Sequence, residues 1–228
     1  MADTNNPHDP KKSATFKLGA YLAALLLCLT LVLWFVGAIG GNVREVDPGR
    51  LYRSAQLSGA TLERTIRSYK IASIVNLRGK DPGDPSYDSE MSLSKEFNLR
   101  HCDISLSAYH LPPPAELAKL LNAFDSMPRP ILVHCRGGSD RTGLASTIYE
   151  NLYEKIPLDQ AESSQLTWRY GHLAFTKARA MNQFFDLYRN NSEGLDLRTW
   201  IAKVYPALYK KNRISTIGLN GLRLTAES

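Results

Sequence analysis

The chain has 228 residues, 43% hydrophobic and 22% charged, a globular composition that excludes disordered, collagen-like and disulfide-scaffold proteins. Its three cysteines are too few and too scattered for a disulfide framework, a zinc ribbon or a thioredoxin motif, so a cysteine that matters here is a reactive one. The net charge of +6, from 28 basic and 22 acidic residues, favours anionic ligands, phosphate above all. It lacks the concentrated basic stripe of a nucleic-acid binder, and no nucleic-acid partner is expected.

After an N-terminal tail (1–17), residues 18–41 read LGAYLAALLLCLTLVLWFVGAIGG without a charge. As a helix this run is long enough to cross a hydrocarbon core of about 30 Å, and it predicts one transmembrane helix and a single-pass membrane protein. The rival is a cleaved signal peptide with a small-residue site at Val36-Gly37-Ala38, but the apolar stretch exceeds the usual signal core of about 7 to 15 residues. Three basic residues precede the segment (Lys11, Lys12, Lys17) and three follow it (Arg44, Arg50, Arg53). That balance leaves the side of the membrane open.

Beyond Asn42, a short strand is expected at Arg50–Arg53, a helix at Thr61–Tyr69 and a strand at Ile71–Leu77. GKDPGDPS at 79–86 reads as a turn-rich loop. A helix over Asp88–Phe97 and a strand over Leu99–Ser105 follow, then Pro112-Pro113-Pro114 opening the helix AELAKLLNAF. ILVHC at Ile131–Cys135 is a short apolar run of the kind covered on both faces. Helical spacing then recurs at Thr142–Glu154, Leu158–Tyr170, Ala174–Tyr188 and Leu197–Tyr209, and residues 210–228 carry no core pattern. Strands alternating with helices, then helices alone, predict an α/β layered domain over 42–209.

The chemistry gathers in His134-Cys135-Arg136-Gly137-Gly138-Ser139-Asp140-Arg141-Thr142-Gly143. A buried strand delivers Cys135 to its end, two glycines let the chain curl, and a helix begins near Arg141, so the N–H groups of Arg136, Gly137, Gly138, Ser139, Asp140 and Arg141 can converge on one phosphoryl group. The same amides favour the thiolate, the nucleophilic form of cysteine. Arg141 supplies a planar fork for two phosphoryl oxygens. Thr142 is placed to hydrogen-bond the sulfur as it leaves, and His134 to brace the loop backbone. Neither the glycine pair nor the Thr-Gly step has an evident packing reason.

These residues resemble the His-Cys-x5-Arg-Thr-Gly signature of the cysteine-dependent protein tyrosine and dual-specificity phosphatases. LYRSAQL (51–57), IVNLRG (74–79) and FTKARAMNQFFDLY (175–188) are similar to the atypical plant-and-fungal-type branch and its membrane-anchored bacterial relatives. The resemblance spans about 50–205. It implies a dual-specificity-phosphatase-like central sheet flanked by helices, and a phosphocysteine mechanism without metal or other cofactor. The substrate it implies is a phosphorylated protein, with inositol phosphates or phosphoinositides as the alternative; a non-catalytic phosphate-binding tether is the alternative of another class.

Cysteine attack needs a general acid, worth about 10²- to 10⁴-fold. Asp103, at the end of a predicted strand before ISLSAYHLPPP, resembles the family's acid-loop position and is the first candidate. Asp140 resembles the aspartate that phosphoinositide-type relatives carry before the arginine. His110 and Glu116 complete the set. Ser139 stands where relatives preferring highly phosphorylated inositols often place lysine. Lys177 and Arg179 can reach a second phosphate, and Arg78 can brace the domain. Cys102 is a core cysteine or a redox partner for Cys135.

Overall fold

The computed structural model describes residues 16–17, 19–30 and 41–211. The chain divides between Gly40 and Gly41 into two units. In the first, residues 19–30 are helical, with Tyr21, Leu22, Leu25 and Leu26 exposed. Among the described residues no helix is long and apolar enough to cross a membrane, because twelve helical residues rise only about 18 Å. The rest of the expected span, residues 18 and 31–40, lies outside the described residues, as do the tails at 1–15 and 212–228.

The second unit is built on a five-stranded sheet in the order β1-β2-β5-β3-β4. Its strands are β1 (Arg44–Asp47), β2 (Leu51–Ser54), β3 (Ser73–Asn76), β4 (Arg100–Asp103) and β5 (Ile131–His134). β2, β5, β3 and β4 run parallel, and β1 adds an antiparallel edge. Every residue of β2, β3 and β5 is buried, as parallel strands covered on both faces require. β1 is not legible from its sequence, REVD, because an edge strand half in solvent carries no apolar alternation.

Seven α-helices cover the sheet: α1 (Gly59–Tyr69), α2 (Pro85–Glu96), α3 (Pro114–Ser126), α4 (Asp140–Tyr153), α5 (Leu158–Gln165), α6 (Ala180–Asn191) and α7 (Leu197–Lys203). α2 starts inside the expected loop: Asp84 accepts from the N–H groups of Ser86 and Tyr87, and Pro85 occupies the first turn. The long helix expected to Tyr170 stops at Gln165. A 3₁₀ turn follows (Trp168–Tyr170), closed by Gly171 in the left-handed region. A second 3₁₀ turn, Lys177–Arg179, capped by Thr176, replaces the first part of the helix expected from Ala174.

The two faces of the sheet carry separate cores. Leu51, Val75, Ile131, Val133 and Cys135 pack with the apolar sides of α3, α4, α6 and α7, whereas Tyr52, Ile74 and Leu132 pack with Leu62 and Ile66 of α1. This period of two places His134 on the α1/α2 side and Cys135 on the α4 side. Cys102 pairs with Val75, which pairs with Val133. Cys102 therefore lies about 10 Å from β5, beyond disulfide reach without backbone movement.

Candidate active site

β5 stands between β2 and β3, where the strand order reverses, and the loops at the strands' C-terminal ends form the crevice in which open α/β sheets bind ligands. The loop 135–139 leaves β5 there and enters α4 at Asp140. Cys135 is 2% exposed, at the floor of the loop, whereas Arg136 and Gly137 are exposed.

Three successive carbonyls of this loop are held by neighbours from the β1/β2 side. The Arg136 carbonyl accepts from the Gln56 N–H (3.2 Å), that of Gly137 from Asn42 Nδ2 (3.1 Å), and that of Gly138 from Arg53 Nη2 (2.6 Å). In a planar trans peptide each carbonyl points opposite to the following N–H. Holding these three oxygens thus turns the N–H groups of Gly137, Gly138 and Ser139 the other way. Among the described residues, none accepts from the N–H groups of residues 136–139, and the first turn of α4 adds its own unpaired donors. Amides turned this way can hold an anion.

Gly138 is required for this path. It sits at φ +69°, and a Cβ there would lie 2.7 Å from the backbone of Ser54 and Ala55. Gly137 is under no such constraint, since its Cβ would meet only Ser139 Oγ at 3.4 Å. Gly143 does have a packing reason, contrary to the sequence expectation: a Cβ there would come within 2.6 Å of Leu166 Cδ2 and 2.9 Å of the Gln165 carbonyl, where α5 meets α4.

Sequence reasoning missed Arg53. This arginine is fully buried in β2 and ties Gly138 to the Gln165 carbonyl (3.0 Å) and to Gln165 Oε1. Its guanidinium stacks over Tyr170, 3.8 Å from the ring centre. Burial pushes it down to about 10, against the opposing pull of Tyr170, Cys135 and Glu150, so it stays a cation beneath the loop at neutral pH. The signal was present in LYRSAQL, where an arginine interrupts an otherwise buried strand. Asn42 was missed as well: besides Gly137 it binds the Tyr170 carbonyl (3.0 Å), a contact no local pattern reveals.

Arg141 Nη1 donates to the carbonyls of Leu106 (3.2 Å) and Leu77 (3.5 Å), while its Nε is buried without a partner among the described residues. The Thr142 hydroxyl is also buried and unpartnered among them, so the expected bond to sulfur is not made in this structure. His134 braces the site differently from the expectation. Its Nε2 stands 2.9 Å from Glu90 on α2, not on the loop backbone. Glu90 also meets His101 Nε2 (2.8 Å) and Gln56 Nε2 (3.0 Å). Burial works against the Glu90 carboxylate, but the two histidines hold it down at about 2.

The two acid candidates part company. Asp103 ends β4 on the α1/α2 side, where Asn76 Nδ2 (2.9 Å) and the Tyr87 hydroxyl (2.8 Å) donate to its two oxygens, and burial together with that carboxylate pushes Tyr87 up to about 12. Cys135 packs with the opposite core. Asp140, the first residue of α4, lines a cavity of about 510 Å³ with Tyr109, Gly171, Leu173, Thr176, Lys177 and Ala178. Of the remaining candidates, His110 Nδ1 meets the Ser107 hydroxyl (2.9 Å) and Glu116 accepts from the Ser105 N–H (2.7 Å). Lys177 reaches the cavity; Arg179 precedes α6. Arg78 binds Gln56 (3.1 Å) and faces Asp81 and Asp84, a bracing role. Among the described residues no group of three or more histidine, cysteine or acidic side chains is arranged to hold a metal ion.

Several solved structures share this architecture. The core catalytic domain of the PP-IP phosphatase SIW14 from S. cerevisiae matches with 19% identity over 68% of this chain and 94% of its own, at a TM-score of 0.52. Tk-PTP in its active form matches with 16% identity over 65% and 97%, at 0.50. P. aeruginosa TpbA matches with 20% identity over 67% and 91%, at 0.48. No curated protein matches the chain. The family model described as "Tyrosine phosphatase family" matches residues 37–155, more than half of the sequence. The chain therefore belongs to the tyrosine phosphatase family, as a cysteine-dependent phosphatase.

Proposed function

We propose that this phosphatase hydrolyses phosphate monoesters, with phosphotyrosine and other phosphorylated residues of proteins as its substrates, through a phosphocysteine on Cys135. The observation that supports the reading is the set of carbonyls held by Gln56, Asn42 and Arg53, which leaves the consecutive amides that follow them free for one phosphoryl group. In the reaction Cys135 attacks phosphorus in line. The N–H groups of Arg136, Gly137, Gly138 and Ser139 hold the equatorial oxygens together with the Arg141 fork. Asp140 protonates the leaving oxygen; it lines the cavity, whereas both oxygens of Asp103 are bonded on the other side of the sheet. Water then cleaves the phosphocysteine, and the Thr142 hydroxyl turns to the departing sulfur.

Tyr109 and Leu173 give the cavity apolar walls suited to an aryl ring, and Ser139 adds no cation to the loop. A second reading, an inositol phosphate or phosphoinositide, draws on Lys177 in the cavity wall and on exposed Arg136. A panel of phosphotyrosine peptides, phosphoinositides and soluble inositol phosphates, ranked by kcat/KM, separates them. Full-length protein is expected to release phosphate from an aryl phosphate in EDTA, and Cys135→Ser to abolish turnover while still binding inorganic phosphate. Undiminished turnover in that variant removes Cys135 from the mechanism, and phosphate binding without release by the native protein makes it a tether.

The same reading places residues 18–41 in a membrane as a single-pass anchor, supported by the uncharged run and the exposed leucines of its described part. Full-length protein is expected to float with liposomes. Recovery in the soluble fraction argues for cleavage or for another role of the segment.

A further inference from the structure

Behind Asp140 a line of polar groups runs into the protein that the reaction above leaves unused. His172, 3% exposed, places Nδ1 2.7 Å from Asp140 Oδ1 and Nε2 2.8 Å from Asn182 Oδ1. The Asn182 amide is oriented by its far end, where Nδ2 donates to Glu162 Oε1 (2.7 Å), and Glu162 is in turn gripped by Arg189. Its oxygen therefore faces His172, and Nε2 must carry a hydrogen. The other ring nitrogen faces a carboxylate oxygen, and that contact needs one more proton, on Nδ1 or on the carboxyl. In either arrangement the pair holds a proton that a solvated aspartate has lost at neutral pH.

We propose that Asp140 and His172 form one proton-donating unit, in which His172 is a positioning residue that stores the proton Asp140 delivers to the leaving group. The inference rests on the reading of Asp140 as the acid. As the S–P bond forms and the bond from phosphorus to the leaving oxygen breaks, the shared proton passes to that oxygen, leaving an ionised Asp140 and a neutral His172. When water attacks the phosphocysteine, its proton returns to the pair, its hydroxyl stays on phosphorus, and the P–S bond breaks to give thiolate and inorganic phosphate. The charged groups facing His172 are Asp140 on α4 and Glu162 on α5, with Arg189 of α6 beyond Glu162. Burial disfavours the imidazolium, but the bonds to Asp140 and Asn182 outweigh it and push His172 up.

The test compares full-length wild type with His172→Asn on p-nitrophenyl phosphate, whose leaving group needs little protonation, and on phenyl phosphate, whose leaving group needs much. In the variant kcat/KM for phenyl phosphate is expected to fall about 10²-fold and that for p-nitrophenyl phosphate far less. The basic limb of the kcat/KM profile should move to lower pH, with competitive inhibition by inorganic phosphate unchanged. Equal losses on both substrates with an unmoved basic limb overturn the proposal. Where His172→Asn fails to fold, Asn182→Leu reads the same split, and an unchanged limb there overturns it too. Asp140→Asn separates the layers: with no leaving-group-dependent loss the acid assignment itself falls, whereas loss of Cys135 dependence strikes the phosphatase mechanism.

Discussion

Gly138 shows how one residue without a side chain carries a site. Its left-handed backbone costs an L residue about 1–2 kcal/mol, and the Ser54–Ala55 backbone stands where a Cβ would go. Gly138→Ala is expected to weaken inorganic phosphate binding by about 10- to 100-fold, equivalent to about 1–3 kcal/mol, while Gly137→Ala leaves it within a few fold; calorimetric titration of both variants checks the contrast. Arg53 acts from beneath. Arg53→Lys keeps the charge but loses the fork that joins Gly138 to Gln165. Its kcat/KM should fall at least about tenfold, and retention of full activity would show that the loop holds its shape without the arginine.

At the scale of elements, the contact that matters is α4 against α5. Gly143 lets the two helices approach until Leu166 and the Gln165 carbonyl touch the space a methyl group would fill. Gln165 is also the partner of Arg53. Gly143→Ala is thus expected to lower stability by about 1–3 kcal/mol through overpacking, read as a lower urea midpoint, and to reduce kcat/KM by moving Arg53. An unchanged midpoint would mean that α5 yields freely. The helix itself was readable from Leu144, Ile148 and Leu152, but its contact with α5 was not, since no pattern within α4 names its neighbour.

Across the whole molecule, the buried Glu90 joins α2 to β4 and β5 through His101 and His134. Its folded value of about 2 lies below its ordinary 4.5. The stability it contributes is therefore complete above about 4.5 and is lost as pH falls through about 2. Glu90→Gln should cost about 1–3 kcal/mol at neutral pH, the scale for leaving a buried hydrogen-bonding partner unsatisfied. The gap from wild type should narrow as pH drops through that window. Denaturant melts of both proteins between pH 7 and 2.5 test this, and a gap independent of pH would assign the loss to packing.

The strand–loop–helix step around Cys135 was legible because its pattern is local: a strand end, two glycines, an arginine six residues on and a helix start need nothing from the rest of the chain. The layered α/β class was legible for a similar reason, since buried strands and amphipathic helices each carry their own period. What holds the loop in shape joins residues far apart in sequence, Arg53 to Gly138 over 85 positions and Asn42 to Tyr170 over 128. Such pairs exist only once β2 lies beside β5. The surroundings of the two acid candidates were decided the same way. On paper Asp103 comes before Asp140, and only the register of β3, β4 and β5 shows that Asp103 lies on the α1/α2 side, opposite the core that holds Cys135, while the tertiary fold brings Asp140 to His172.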